Sequence, residues 1–297
     1  VSRRLIVPAV VLGASAGVAS YAVRGLLARQ AAVARRLIGK PLGEQAPHAD
    51  RVWKRAYGDP LDLLLLGDSI AAGLGAERRK DTLGGRLSKG LAKHLQRGVR
   101  LRTAAVVGAE SSTLGAQLDT LPRGYRADVA VVVVGGNDVT HRVPVAEAAG
   151  HLAEAVARLR AQGTEVVVGT CPDLGALRPV PQPLRRLGSL ASRQLARAQE
   201  EAAVQAGAHA VSLAEVVGPF FVTDPDAMFS LDRFHPSALG YRRTAEALLP
   251  SLLTAVGEHD RVPHGHRLPR LHSTRASAKH EAGSLLMRVP DIPGPGS

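Results

Sequence analysis

A chain of 297 residues is long enough for one large α/β domain with extensions, or for two small domains. Apolar residues make up 45% of it and aromatics only 3%, so a core must be built chiefly from Val, Leu and Ala. The formal net charge of +12 suits an anionic membrane surface or an acidic envelope polymer; no zinc-finger, RNA-recognition or basic-zipper pattern accompanies it, so nucleic acid is not an expected partner. The single Cys171 excludes an internal disulfide framework.

The chain starts Val1-Ser2-Arg3-Arg4 and then runs from Leu5 to Val23 without a charge. A basic start before an apolar stretch is the pattern of an export signal. The stretch is also just long enough to span a bilayer at about 1.5 Å per residue. Ala14-Ser15-Ala16 and Ser20-Tyr21-Ala22 resemble cleavage sites, so a cleaved signal peptide and a retained membrane anchor both fit. Arg3 and Arg4 favour a cytoplasmic N-terminus, whereas Arg24, Arg29, Arg35, Arg36 and Lys40 argue the other way. Export to the cell envelope, anchored or secreted, is the expectation, with the cytoplasmic orientation left open. Leu26 to Ile38 reads as an Arg-rich amphipathic helix, with Leu26, Leu27, Val33 and Leu37 as its apolar members. It can lie on an anionic membrane surface or serve as a solvated linker helix. Residues 1–38 thus form an N-terminal helical extension and 39–60 a linker mixing Pro, Gly and charge, with Trp53 and Tyr57 packing on the domain edge.

From Leu61 strands and helices alternate. Strands are predicted at Leu61–Leu66, Val99–Val107, Asp128–Val134, Glu165–Gly169 and His209–Ser212. Helices are predicted at Thr82–Gln96, Thr113–Leu121, Val145–Gln162, Leu184–Ala206 and Pro236–Val256, the last with Pro in its first turn. Pro172–Pro183 is a Pro-rich loop. Such alternation implies an α/β fold, a central parallel sheet with helices on both faces, over residues 61–256. From Gly257 to Ser297 periodicity vanishes, and a disordered basic tail is expected. Its His259, His264, His266, His272 and His280 match no structural metal-site spacing.

Four stretches carry the chemistry. Leu63-Leu64-Leu65-Leu66-Gly67-Asp68-Ser69 is a buried-strand pattern that delivers a hydroxyl to the carboxyl rim of the sheet, where open α/β sheets bind ligands. Val107-Gly108 ends the second strand; its glycine is either a turn residue or a backbone N–H aimed at a developing oxyanion. Gly135-Gly136-Asn137-Asp138 is either a turn and cap or a sharp bend exposing a carboxamide, a neutral donor suited to an oxyanion. Asp232-Arg233-Phe234-His235-Pro236 puts an acid three residues before an imidazole, close enough in a tight loop to orient it.

In order and residue type these stretches resemble the four blocks of the SGNH, or GDSL-type, hydrolase family, over roughly Leu61 to Val256. The second block departs from the pattern: Val107 precedes Gly108, and Glu110-Ser111 follows it, where the family often has Asn before the glycine and Ser-Gly after. The resemblance implies a three-layer αβα, flavodoxin-like fold and a serine esterase. Its catalytic residues would be Ser69, Asp232 and His235, and its oxyanion hole Ser69, Gly108 and Asn137. It implies no metal and no organic cofactor. The expected substrate is a short- to medium-chain carboxylic ester, with a lipid or an acylated glycan as natural partner. O-acyl transfer to or deacetylation of a sugar, and a membrane-tethered non-catalytic binding protein of the same fold, are the alternatives. Asp68 reads as a structural residue of its turn, and Cys171 as a buried small residue.

Overall fold

A computed structural model describes the backbone of residues 6–39, 43 and 45–270, and side chains from residue 21 onward. Expectations resting on the side chains of Leu5 to Ser20, or on the tail from Leu271 with His272 and His280, lie outside the described residues.

Among the described residues one sheet holds seven strands: β1 (Val52–Trp53), β2 (Leu61–Gly67), β3 (Val99–Thr103), β4 (Val129–Val133), β5 (Glu165–Gly169), β6 (His209–Val211) and β7 (His266–Arg267). Their order across the sheet is β1-β3-β2-β4-β5-β6-β7. The central strands from β3 to β6 are parallel, as expected, but β1 and β7 join antiparallel, so the whole sheet is mixed. Both edge strands come from segments expected to be linker or disordered tail. Two residues are too few for a period to register in sequence, and their pairing is supplied by a neighbour already in place. Val52 pairs with Arg100, and His266 pairs with Val211. The chain up to Arg270 is thereby attached to the domain.

The helices are α1 (Ile6–Ile38), α2 (Ser69–Ala72), α3 (Leu83–Leu95), α4 (Leu114–Asp119), α5 (Gly136–His141), α6 (Val145–Ala161), α7 (Leu184–Gln205), α8 (Leu213–Val216), α9 (Gly218–Thr223), α10 (Pro225–Met228) and α11 (Ala238–Ala255). The Arg-rich segment from Leu26 is the carboxyl half of the continuous α1. It touches the domain through Gln30, whose Oε1 accepts from Leu184 N at 3.1 Å at the start of α7. Among the described residues no helix is long and apolar enough to cross a membrane. Helix α11 starts two residues later than expected: Ser237 Oγ accepts from Leu239 N and Gly240 N, each at 3.1 Å, so Pro236 stands outside the cap.

Leu63–Leu66 of β2 and the whole of β4 read as unbroken apolar runs because helices cover both faces. Leu61, Leu63 and Leu65 pack with Leu83, Leu87 and Leu91 of α3 and with Tyr241, Leu248 and Leu252 of α11. Leu64 and Leu66 point the other way, to Leu114 of α4, Leu152 and Val156 of α6 and Ala203 of α7. Burying each such Leu contributes about 1.5–3 kcal/mol. The result is a three-layer αβα domain. From β2 the chain first moves outward to β3, then returns to β4 on the other side of β2. The strand order reverses between β2 and β4, which opens a crevice beyond their carboxyl ends.

β7 carries a titratable anchor. His266 is buried with its Nδ1 2.7 Å from Ser251 Oγ on α11, and burial pushes its pKa below the ordinary 6.5. His209 on the neighbouring β6 is shifted the same way, again chiefly by burial. A base whose folded pKa is depressed is neutral in both states above 6.5, and below that only the unfolded chain gains its proton freely. The contribution of these two histidines to stability is therefore expected to fall as pH drops below about 6.5, outweighing the opposite effect of the raised Asp68 carboxyl. Urea midpoints measured from pH 7.5 to 5 should decline, and less so in His266→Gln; an unchanged decline would remove His266 from the account.

Candidate active site

The site begins where β2 stops. Gly67 has φ 127°, and a Cβ there would lie 1.9 Å from Val133 O, so only glycine lets β2 run this close to β4 at its end. Gln117 of α4, buried, braces the same residue. Its Nε2 donates to Gly67 O at 2.8 Å and its Oε1 accepts from Gly67 N at 2.9 Å. Asp68 then caps α2, its Oδ1 accepting from Ile70 N at 2.9 Å. Burial pushes its pKa up to about 6, against the opposing pull of that bond and of His235. Ser69 follows as the first residue of α2, 7% exposed.

The loop between α10 and α11 meets it. Phe229 and Pro236 form an antiparallel bridge, and Ser230 N donates to His235 O at 2.8 Å, which closes residues 230–235 into a tight turn. Arg233, at φ 55°, takes the left-handed position that this turn requires. Asp232 Oδ1 accepts from Ser230 Oγ at 2.8 Å and from the N–H groups of Phe234 and His235, each at 2.9 Å. Asp232 Oδ2 lies 2.6 Å from His235 Nδ1, and His235 Nε2 lies 3.0 Å from Ser69 Oγ. Burial would raise the Asp232 pKa, but the bonds from His235, Phe234 and Ser230 outweigh it and hold it at about 2. The carboxylate is thus charged at neutral pH.

Two contacts bring this loop onto the serine. Tyr241, fully buried in the first turn of α11, donates its hydroxyl to Leu74 O just beyond α2. A Cβ at Gly75 would stand 2.8 Å from His235 Cβ, so a side chain there would push the histidine away.

Helix α5 brings the remaining groups. Asn137 shares a pocket with Ser69 and His235, and its Nδ2 donates to Ala109 O at 2.9 Å. Asp138, fully buried, accepts from Ser111 N at 3.1 Å and from Ser111 Oγ at 2.5 Å. Glu110 Oε1 lies 2.5 Å from His141 Nδ1. Three successive residues after Gly108 are therefore tied to α5. Gly108 itself is exposed with φ 83°, open space where a Cβ would be, and no place among the residues lining the serine pocket. The structure brings Ser69, Asp232, His235 and Asn137 together and sets the Gly108 loop against Asn137. Cys171 is fully buried, with its thiol pKa pushed well up by that burial.

Sequence reasoning missed Gln117, the Ser111–Asp138 bond, Ser230 and Tyr241, because each acts across a tertiary contact with no local spacing. It also missed the pocket wall. The chain has four phenylalanines, and three of them, Phe221, Phe229 and Phe234, line the pocket of Ser69. In a chain so poor in aromatics, that clustering between residues 220 and 234 was a readable signal.

A hydroxyl bonded to an imidazole whose far nitrogen faces a charged carboxylate is equipped to lose its proton while attacking an electrophile. Comparison with known proteins gives the family. Residues 65–243 match the GDSL-like lipase/acylhydrolase family, and the chain belongs to it. It is 37% identical over 287 residues to the GDSL-like esterase Rv1075c of Mycobacterium tuberculosis (strain ATCC 25618 / H37Rv), covering 93% of this chain and 91% of that one. The structure of TesA overlays with TM-score 0.52 at 25% identity, over 65% of this chain and 99% of its own. The lipase/acylhydrolase of Enterococcus faecalis overlays with TM-score 0.55 at 17% identity, over 68% and 100%, a likeness of fold. The SGNH fold and an ester-bond hydrolase activity follow from family membership.

Asp138 is the acid whose removal tests the tie between α5 and the Gly108 loop. Asp138→Ala leaves the buried Ser111 amide and hydroxyl without an acceptor, at a cost of about 1–3 kcal/mol. Urea unfolding should report that loss; a variant as stable as wild type would mean that the bonds carry no net stability.

Proposed function

We propose that the protein is a serine esterase acting on short- to medium-chain carboxylic esters through an acyl-enzyme. The observation that carries the reading is the unbroken chain from Ser69 Oγ to His235 Nε2 at 3.0 Å and from His235 Nδ1 to Asp232 Oδ2 at 2.6 Å.

In this reading Ser69 Oγ bonds to the ester carbonyl carbon as its proton passes to His235 Nε2. Asp232, ionised, stabilises the imidazolium and fixes its tautomer. The carbonyl oxygen takes up negative charge and is held by the N–H of Ser69 and the side-chain amide of Asn137; Gly108, the third donor that the family pattern implies, lies outside the serine pocket. The Ser69 amide opens α2, where helix N–H groups lack intrahelical partners, and Asp68 occupies that of Ile70. Asn137 spends one amide hydrogen on Ala109 O and has a second for the oxyanion. Collapse expels the alcohol, which takes the proton from His235. Water then attacks the acyl-enzyme, gives a proton to His235, and the acid leaves as Ser69 recovers its hydroxyl.

We also propose an envelope location with a lipid or an acylated glycan as natural substrate, on the strength of the basic-then-apolar start of the chain and its net charge of +12. Cell fractionation would test it, and recovery only in the cytosol would rule it out.

Ser69→Ala should remove nearly all hydrolysis of a p-nitrophenyl ester while leaving the circular dichroism spectrum unchanged. Retained turnover would overturn the assignment of Ser69. Asn137→Ala should lower kcat about 10²–10³-fold, the usual loss for one oxyanion donor. A change confined to KM would make Asn137 a substrate-binding residue instead.

A further inference from the structure

Two cavities flank the loop that carries Asp232 and His235, and they differ greatly in size. One, of about 80 Å³, contains Ser69, Asn137 and His235 and is otherwise walled mainly by apolar side chains such as Leu177, Leu213 and Phe221. The other is an open groove of about 980 Å³ between the segments of Gly75, Arg178 and Leu231. It does not reach Ser69. Phe229 is the one residue that lines both.

From this juxtaposition we infer that Phe229 is the specificity-determining residue for acyl-chain length, the partition that closes the serine pocket against the groove. The inference rests on the proposed acyl-enzyme at Ser69. The serine pocket has about a twelfth of the volume of the groove. The substrate class is therefore an ester of a short-chain acid. Neither the alcohol nor the remainder of a long acyl chain is accommodated there while Phe229 stands.

The partition is held firmly. The Phe229 ring meets Phe221 edge-to-face, with centroids 4.9 Å apart and planes at 69°. Its N–H donates to Pro225 O at 2.9 Å, and the residue bridges to Pro236 beside His235. The backbone of Phe229 is thus tied to the loop that positions the histidine, and the Phe221 ring packs against its side chain. Phe221 lines the serine pocket alone, so trimming it enlarges the pocket without opening the groove.

The test is a panel of p-nitrophenyl acetate, butyrate, octanoate and dodecanoate on wild type, Phe229→Ala, Phe229→Leu and Phe221→Ala, each checked for folding by circular dichroism. One unaccommodated methylene is worth about 10–200-fold in a closed pocket, so wild type should prefer butyrate over dodecanoate at least tenfold in kcat/KM. Phe229→Ala should reduce that preference by about tenfold or more, with Phe229→Leu in between, because the chain then passes into the groove. Phe221→Ala should gain on octanoate but not on dodecanoate. A wild type equally active on dodecanoate overturns the inference. So does an unchanged preference in whichever Phe229 variant folds. Labelling with a fluorophosphonate separates the two levels. Absence of label on Ser69 in an active wild type removes the acyl-enzyme reading and this one with it, whereas normal labelling with unchanged preference removes only the role of Phe229.

Discussion

The close approach of β2 and β4 at their carboxyl ends is the constraint on which the site depends. Gly67 pairs with Val133 in the sheet, and a methyl group at Gly67 would overlap the Val133 carbonyl. Because nothing separates the two strands there, the residues that follow them emerge side by side at the point where strand order reverses. Ser69 comes two residues after one strand and Asn137 four after the other. The glycine has no side chain to hold it, so Gln117 grips both of its backbone groups from the helix layer. A buried amide used in this way satisfies two polar groups at once and fixes a position that the sheet alone would leave to fray.

The same economy of buried polar groups recurs around the site. Asp68, Asp138 and Asp232 are all buried, yet each has backbone N–H donors as partners and each holds one turn. Their environments separate them. Asp232 accepts enough bonds to stay ionised at about pKa 2, while Asp68, with fewer, is raised to about 6. Only Asp232 has a carboxylate oxygen directed at the imidazole. The difference between a catalytic and a structural acid in this proposal is one of hydrogen-bond count and direction, not of residue type.

Much of this was legible in the sequence because the relevant patterns are local. Apolar runs such as Leu63–Leu66 and Val131–Val134 mark strands covered on both faces. Small residues after them mark the rim, and the three-residue spacing of Asp232 and His235 marks a loop able to orient an imidazole. The edge strands were not legible. Val52–Trp53 and His266–Arg267 are extended because β3 and β6 offer free ladder groups, and no two-residue segment carries that information itself. The packing around Gly73 and Gly75 was not legible either, because a glycine suits an open turn as well as a tight one. The structure decides for close packing, since side chains there would strike Thr82 and His235.

By itself, then, the sequence determined the alternation of strands and helices and the family, and it singled out Ser69, Asn137, Asp232 and His235 as candidates, since hydrophobic period and motif spacing are properties of short segments. Tertiary structure alone decided which buried groups brace them and which side chains wall the pocket of Ser69. Gln117 reaches Gly67 across fifty positions, and Tyr241 reaches Leu74 across 167. Phe229 becomes a wall only because the loop from α10 to α11 folds back between two cavities. Such contacts are set by how layers pack, and packing joins residues that share no neighbourhood in the chain.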